Sequence, residues 1–475
     1  MKKTLAILAC ICSVNSYSQT LEVSPYLFVS DKKDTVNAEL CKLSVPENRT
    51  RQDSKTIAIS FIRFKSTNPN PGSPIVYLAG GPGGSGIATA KGKRFPIFSQ
   101  LREVADVIIL DQRGTGLSNT LPDCPNQIEF DLMRPIEKEE YLSRSIEQIK
   151  GCLSFWDEKE VDITAYNTTE NAKDLEAIRI ALGVDKISLW GISYGSHLAF
   201  EYIRLFEKNI DKMVLASLEG PDETIKLPKQ TEDFLFMLAE KAITNYGSNI
   251  KYPDLRSKME EVHSRAKNNP ITTTFKNRKG TIDTVSFSNF ELQAVIANFY
   301  LKNPEDSKRL PKLYSQMYEG DFSGIAPMIA TIKMFGLRKV DPMPFSMDMQ
   351  SGISVARKKQ VASEMDNTIL GSTINILFYE WMTNLSFPML PDAFRKMKAN
   401  KVNALLLSGT MDGRTYLESG IAIAKNFKNS THIIVENGGH DLYEQSPVIA
   451  EMVFNFFSGK KPSQSKVMLD PIVFE

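Results

Sequence analysis

Gly191-Ile192-Ser193-Tyr194-Gly195 spells Gly-x-Ser-x-Gly directly after the apolar run Ile187-Ser188-Leu189-Trp190. The run predicts a buried strand. Ser196 to Phe206 predicts a helix, with Leu198, Ala199, Tyr202, Ile203 and Phe206 on one face. A serine at so tight a strand-to-helix turn needs small residues two positions to either side. The turn pushes its hydroxyl out of the sheet, and the following helix N-terminus favours negative charge. This is the setting of a nucleophile for acyl transfer, provided that a base stands next to it. The chain has four histidines. His197 falls within the predicted helix, where packing or capping is expected. His263 belongs to a charged helical stretch, and His432 to a predicted strand, Thr431 to Val435. His440 follows Asn437-Gly438-Gly439, a loop at the carboxyl end of that strand, where open α/β sheets hold their active sites. The acid that orients such a histidine belongs between serine and histidine in the chain, after a strand. Asp412 meets this condition, following Leu405-Leu406-Leu407-Ser408. Asp441 cannot easily fold back onto its neighbour's ring and is expected to face solvent; Asp392 precedes its strand. The expected catalytic set is Ser193, Asp412 and His440.

The glycine-rich stretch Gly80-Gly81-Pro82-Gly83-Gly84-Ser85-Gly86 follows the apolar strand Ile75 to Ala79 and admits two readings. Gly81-x-Gly83-x-x-Gly86, with Asp111 ending a later strand, matches a dinucleotide fingerprint and would make the chain an oxidoreductase. Pro82 and the lateness of the loop in the chain oppose that reading. The alternative uses the glycines to bring backbone N–H groups against a substrate. The amides of Gly81 and Tyr194 would then form an oxyanion hole, and no cofactor or metal is needed.

Elements that could position these residues alternate along the chain. Strands are expected at Thr56 to Phe64, Ile75 to Ala79, Val107 to Leu110, Lys186 to Trp190, Lys212 to Ser217, Ala404 to Ser408 and Thr431 to Val435. Helices are expected at Thr169 to Leu182 and Val448 to Phe457. Short apolar strands between helices imply an α/β fold, a mostly parallel sheet covered on both faces. Residues 221–395 break the rhythm with helical stretches (Glu232 to Ile243, Asp254 to Ala266, Asn289 to Tyr300) and one hairpin around Lys279-Gly280. They read as a mainly helical lid inserted between two core parts, 19–220 and 396–475.

A net charge of +1 gives no electrostatic case for nucleic acid. After the N-terminus no segment holds eighteen uninterrupted apolar residues, so no membrane span is expected. The start itself, Lys2-Lys3, an apolar stretch from Leu5 to Val14 and then Ser16-Tyr17-Ser18, reads as a signal peptide over residues 1–18 with cleavage before Gln19. Export predicts an oxidising compartment, where Cys124 and Cys152 could bridge within one surface insertion and leave Cys41 free.

Together, the glycine-rich loop, Asp111-Gln112-Arg113-Gly114-Thr115-Gly116-Leu117-Ser118, the Ser193 motif, Asp412 and Gly439-His440 resemble the prolyl aminopeptidase family of α/β-hydrolases. The resemblance is closest to its secreted, tripeptidyl-aminopeptidase-like branch, which Val45-Pro46-Glu47-Asn48 also resembles. It covers Lys42 to Glu219 and Asn403 to Ser458. Two positions depart from it: Ala79 stands where the family commonly has histidine, and Thr415-Tyr416 replaces Thr-Pro. The resemblance implies a serine peptidase acting near a free N-terminus, with a carboxylesterase acting on small esters as the alternative. Recognition of an α-ammonium group calls for carboxylates at the closed end of the cleft. Glu219, just past a strand, and Glu380, within Ile376-Leu377-Phe378-Tyr379-Glu380-Trp381, are the candidates. Asp111 and Arg113 are expected to brace the loop beside the oxyanion hole.

Overall fold

The computed structural model describes residues 20–244, 251–336, 339–462 and 464–475; the expected signal peptide and its cleavage point lie outside them. The strands are β1 (Leu21–Val29), β2 (Thr35–Pro46), β3 (Thr56–Phe64), β4 (Ile75–Leu78), β5 (Val107–Leu110), β6 (Ile187–Ser193), β7 (Ile210–Leu218), β8 (Ile271–Lys276), β9 (Ile282–Phe287), β10 (Asn400–Gly409), β11 (Phe427–Glu436) and β12 (Lys466–Met468). Ten of them form one sheet in the order β1-β2-β3-β5-β4-β6-β7-β10-β11-β12. From β5 to β12 along this order every pairing is parallel, whereas β1, β2, β3 and β5 pair antiparallel.

The parallel part follows from its composition. Every residue of β4 and β5 is buried, as continuous apolar runs require when both faces of a sheet are covered. Successive side chains point to opposite faces. Leu189 and Leu215 therefore join the core on one side, and Trp190 and Val214 the core on the other. Trp190 closes that second core against Tyr77 and Phe98, with ring centroids 4.7 and 4.6 Å away. β1 and β2 were not foreseen. β2 alternates buried and exposed residues, the pattern of a half-covered antiparallel strand, and β1 is mostly exposed at the sheet edge.

Between β7 and β10 the described residues add no strand to this sheet. It runs through helices, among them Pro228–Thr244, Leu255–Asn268, Asn289–Phe299 and Pro342–Ser351, and through the hairpin β8–β9. Ser288 starts the Asn289–Phe299 helix with a capping box: its hydroxyl accepts from the helix backbone, and Glu291 reaches back to the Ser288 N–H. Glu291 also meets Lys333 at 3.0 Å, with neither side chain exposed.

Cys124 and Cys152 are bridged, with their Cα atoms 5.4 Å apart. The bridge ties the loop after β5 to the helix Lys138–Glu158, which the sequence reading missed. Both cysteines are buried rather than lying on a surface insertion, because this helix packs Ile149, Cys152 and Trp156 into the core. Cys41, on β2, is free and buried, and burial pushes its thiol up to about 11. Among the described residues no helix is long and apolar enough to cross a membrane.

Candidate active site

Ser193 ends β6 and precedes the helix Tyr194–Phe206, at φ 56° and ψ −126°. A non-glycine residue in that region stores strain, of order 1–3 kcal/mol, that the surrounding structure must hold. The close packing behind the turn supplies the hold. A Cβ on Gly195 would come within 2.2 Å of the Leu78 carbonyl oxygen, and one on Gly191 within 3.0 Å of the Gly195 oxygen. Ser196 fixes the turn from below: its hydroxyl donates to the Ser193 carbonyl (2.6 Å) and accepts the Glu219 N–H (2.9 Å), joining the elbow to the end of β7.

His440 and Asp412 arrive from the carboxyl ends of β11 and β10. The His440 Nδ1 lies 3.0 Å from each carboxylate oxygen of Asp412. The His440 backbone is held on both sides, with its carbonyl accepting from the Ser217 hydroxyl (2.6 Å) and its N–H donating to the Lys302 carbonyl (3.1 Å). Asp412 also accepts from the Arg414 and Thr415 N–H groups (both 2.9 Å) and the Thr415 hydroxyl (2.6 Å). Burial alone would raise this carboxyl; the neighbouring His440 and the Thr415 donors outweigh it and hold the group below the usual range. Ser193 and His440 line one cavity of about 490 Å³. They share it without a direct hydrogen bond, a contact that in free enzymes commonly tightens only with substrate.

Gly81 lines the same cavity at φ +127°, a conformation that side chains rarely adopt. The loop lies directly over the elbow, since a Cβ on Gly80 would approach the Ser193 Cβ to 3.3 Å. Tyr194 is the first residue of its helix and has no intrahelical acceptor. Among the described residues the Gly81 amide meets no backbone acceptor either.

Asp111 accepts from the Ser85 hydroxyl (2.6 Å), the Ile87 N–H (3.1 Å) and the Leu117 N–H (2.7 Å). Its carboxylate is thereby spent on bracing the glycine loop, which leaves it unsuited to a nucleotide ribose. Arg113, wholly buried, forks onto Asp174 at 2.7 and 2.8 Å and also reaches the Ala165 carbonyl.

The two acid candidates separate. Glu219 lines the Ser193 cavity, with Lys226 at 3.0 Å. Burial opposes its charge, but Lys226 and His197 hold the carboxyl down. Glu380 does not line that cavity. The helix Phe378–Asn384 turns it to Lys138 (2.6 Å) and the Ser372 hydroxyl (2.6 Å), on the helix Lys138–Glu158 side of the insertion. Asp441 also differs from expectation. Instead of facing solvent alone it meets Lys302 at 2.9 Å, Asn303 at 3.0 Å and Arg94 at 3.4 Å. Burial opposes its charge, but Lys302 above all brings the carboxyl down to about 2.

The remaining histidines are held elsewhere. His197 lies between the Gly220 carbonyl and Ser351 (both 3.1 Å), His263 between Asn289 and Tyr314, and His432 beside Ser408. Sequence reasoning missed Asp348, on the helix Pro342–Ser351. Burial and the Glu219 charge push its carboxyl up, while Lys226 and Arg414 pull the other way. No local pattern marks it, because its neighbours come from distant segments.

A serine on a glycine-walled elbow, a histidine and aspartate at neighbouring strand ends and a glycine loop overhead define a class. The α/β-hydrolase fold model matches residues 73–447, and the chain belongs to that family. It is 30% identical over 211 residues to serine protease Hip1 of Mycobacterium tuberculosis, a stretch covering 43% of this chain and 40% of that protein. It is 29% identical over 198 residues to the tripeptidyl aminopeptidase of Streptomyces lividans (38% and 35%). It is 25% identical over 188 residues to the proline iminopeptidase of Neisseria meningitidis (37% and 46%). The matched stretches thus span less than half the length of each relative.

Proposed function

We propose that the protein is a serine hydrolase that cleaves peptide bonds close to a free N-terminus. The observation that carries the reaction class is the His440 imidazole fixed against Asp412 in a cavity shared with the Ser193 elbow. In this reading the Ser193 hydroxyl attacks the substrate carbonyl while His440 Nε2 takes its proton. Asp412 fixes the ring through Nδ1 and favours the imidazolium that forms. The oxyanion of the tetrahedral intermediate accepts from the Gly81 and Tyr194 amides; one such donor is worth about 3 kcal/mol in the transition state. Collapse expels the amine, which takes the proton from His440. Water then enters and hydrolyses the acyl-enzyme by the same route.

The peptide substrate is supported by the names of the relatives and by an acid at the cavity wall. Glu219 holds Lys226 through Oε2, and Oε1 is left to accept from an α-ammonium group. Asn298, Phe299, Lys302 and Ile376 of the insertion line the cavity, so residues 221–395 act as a lid that restricts entry to chain ends. Action outside the cytoplasm is supported by the charged-then-apolar start and by the Cys124–Cys152 bridge. N-terminal sequencing of protein from its native host should begin at Gln19; an intact Met1 would refute export. The substrate test is a panel of free and N-acetylated peptidyl nitroanilides beside short-chain nitrophenyl esters. Cleavage of free but not acetylated peptides is expected. Turnover of esters alone would make the enzyme a carboxylesterase.

A further inference from the structure

Four basic side chains line the Ser193 cavity: Arg94, Lys226, Lys302 and Arg414. Three of them are matched by acids. Lys226 meets Glu219 at 3.0 Å and Lys302 meets Asp441 at 2.9 Å; Arg94 meets Asp441 at 3.4 Å and Glu444 at 3.0 Å. Arg414 is different: among the described residues it forms no ion pair. Its Nη1 donates to Asn298 Oδ1 (3.1 Å) and the Ile374 carbonyl (3.4 Å), which anchor one corner of the guanidinium to the insertion. Nε and Nη2 make no hydrogen bond among the described residues. The Arg414 backbone is fixed as well, its N–H donating to Asp412. The acids whose charge it feels are Glu219, already held by Lys226, and Asp348, whose carboxyl is pushed up.

A half-buried guanidinium that lines a cavity without a directly paired acid has lost hydration and gained no ion pair. The pair Nε and Nη2 presents two parallel N–H groups, the edge that receives a carboxylate in bidentate fashion. We propose that Arg414 is a specificity residue that binds a carboxylate of the substrate, so that the cavity selects peptides carrying an acidic side chain or a free C-terminus near the scissile bond. The proposal rests on the peptidase reading only for placing substrate in this cavity.

Binding can be measured without turnover, by calorimetry on Ser193→Ala protein. The probes are tetra-alanine as free acid and as amide, and the amide with Glu or Gln substituted at each position in turn. At least one carboxylate peptide should bind about 10- to 100-fold more tightly than its neutral mate, as a charge-assisted pair implies. Adding Arg414→Gln should bring that ratio close to one. Arg414→Lys keeps the charge but not the fork, and should retain part of the preference. The arm that responds identifies the source, side chain or C-terminus. The proposal is overturned if no peptide binds, if no pair is discriminated, if the preference survives Arg414→Gln, or if that change weakens both members of a pair equally. Cleavage by the unaltered enzyme is scored separately. Acid preference without cleavage would sink the peptidase reading alone, and cleavage without acid preference would sink this proposal alone.

Discussion

Asp412, at the carboxyl end of the sheet, and Glu291, in the insertion, are both wholly buried carboxylates that face one basic side chain each. Burial pushes both carboxyls up. Glu291 ends above its usual range and Asp412 below it. The difference lies in the donors. Both oxygens of Asp412 accept hydrogen bonds from Thr415 or Arg414 and from His440. On Glu291 one oxygen accepts the Ile136 and Ser288 N–H groups, while the other meets only the Lys333 ammonium, at 3.0 Å. The bases differ too: Lys333 is sealed, whereas His440 borders the Ser193 cavity. One arrangement keeps a charge ready beside the cavity in which the proposed reaction moves a proton. The other pins the insertion together.

Removing the proposed nucleophile tests the first half of that contrast most severely. Ser193→Ala should lower kcat by roughly 10³- to 10⁶-fold, about 4–8 kcal/mol of barrier, while the thermal midpoint stays near that of the parent. Retention of most activity would remove Ser193 from its assigned role. The second half is tested by Lys333→Met, which strands Glu291. The expected cost is about 3–5 kcal/mol of stability in urea unfolding, and Lys333→Met combined with Glu291→Gln should recover most of it. A single variant as stable as the parent would show that the pair does not hold the insertion.

His263 sharpens the comparison, because it is a buried base in the insertion whose ring is hydrogen-bonded to no acid among the described residues. Asn289 Oδ1 (2.7 Å) and the Tyr314 hydroxyl (2.9 Å) engage its ring, and burial lowers its pKa to about 4. The unfolded chain protonates this side chain near 6.5, so between these values the unfolded state binds more protons. Stability from His263 is therefore complete above about pH 6.5, falls as the pH drops and levels off near 4, a loss of about 3 kcal/mol in all. His263→Gln should flatten that part of the stability profile. An identical pH dependence in variant and parent would refute the account.

How much of this was legible in the sequence follows from the range of each interaction. The Ser193 elbow, the glycine loop and the ends of β10 and β11 are local. Close backbone approach demands glycine, and apolar runs demand buried strands, so both leave marks at fixed spacing. Three helices of the insertion, Pro228–Thr244, Leu255–Asn268 and Asn289–Phe299, were legible in their middles from their apolar spacing, while the shorter ones after Tyr300 were not. Contacts between distant segments leave no such mark. Lys333 reaches Glu291 and Glu380 reaches Lys138 across long separations, so Glu380 read as a cavity acid although it lies elsewhere. β1 escaped because it is mostly exposed at the sheet edge, whereas the alternation of β2 was a legible signal that the reading left unused. Tyr416, where the resemblance leads one to expect proline, has a distant partner as well: its hydroxyl meets Thr231 of the insertion at 2.7 Å.

Thr415 offers the finest adjustment, moving Asp412 toward the condition of Glu291. Its hydroxyl donates to Asp412 Oδ2 at 2.6 Å and lies 3.4 Å from the His440 Nδ1. Valine has nearly the same shape and removes this donor alone. The Thr415 and Arg414 amides still serve Oδ1, and His440 still bridges both oxygens. A hydrogen bond to a charged group is worth about 1.5–3 kcal/mol, and the remaining donors can share part of that load. Thr415→Val should therefore reduce kcat/KM by about 10-fold, mostly through kcat, because with one donor gone the carboxylate is held less firmly in the ionised, ring-facing state that orients His440. The kinetic split is the measurement. A loss confined to KM would mean that Thr415 shapes the binding cavity, and an unchanged kcat would mean that the backbone amides alone hold Asp412 in its ionised, ring-facing state.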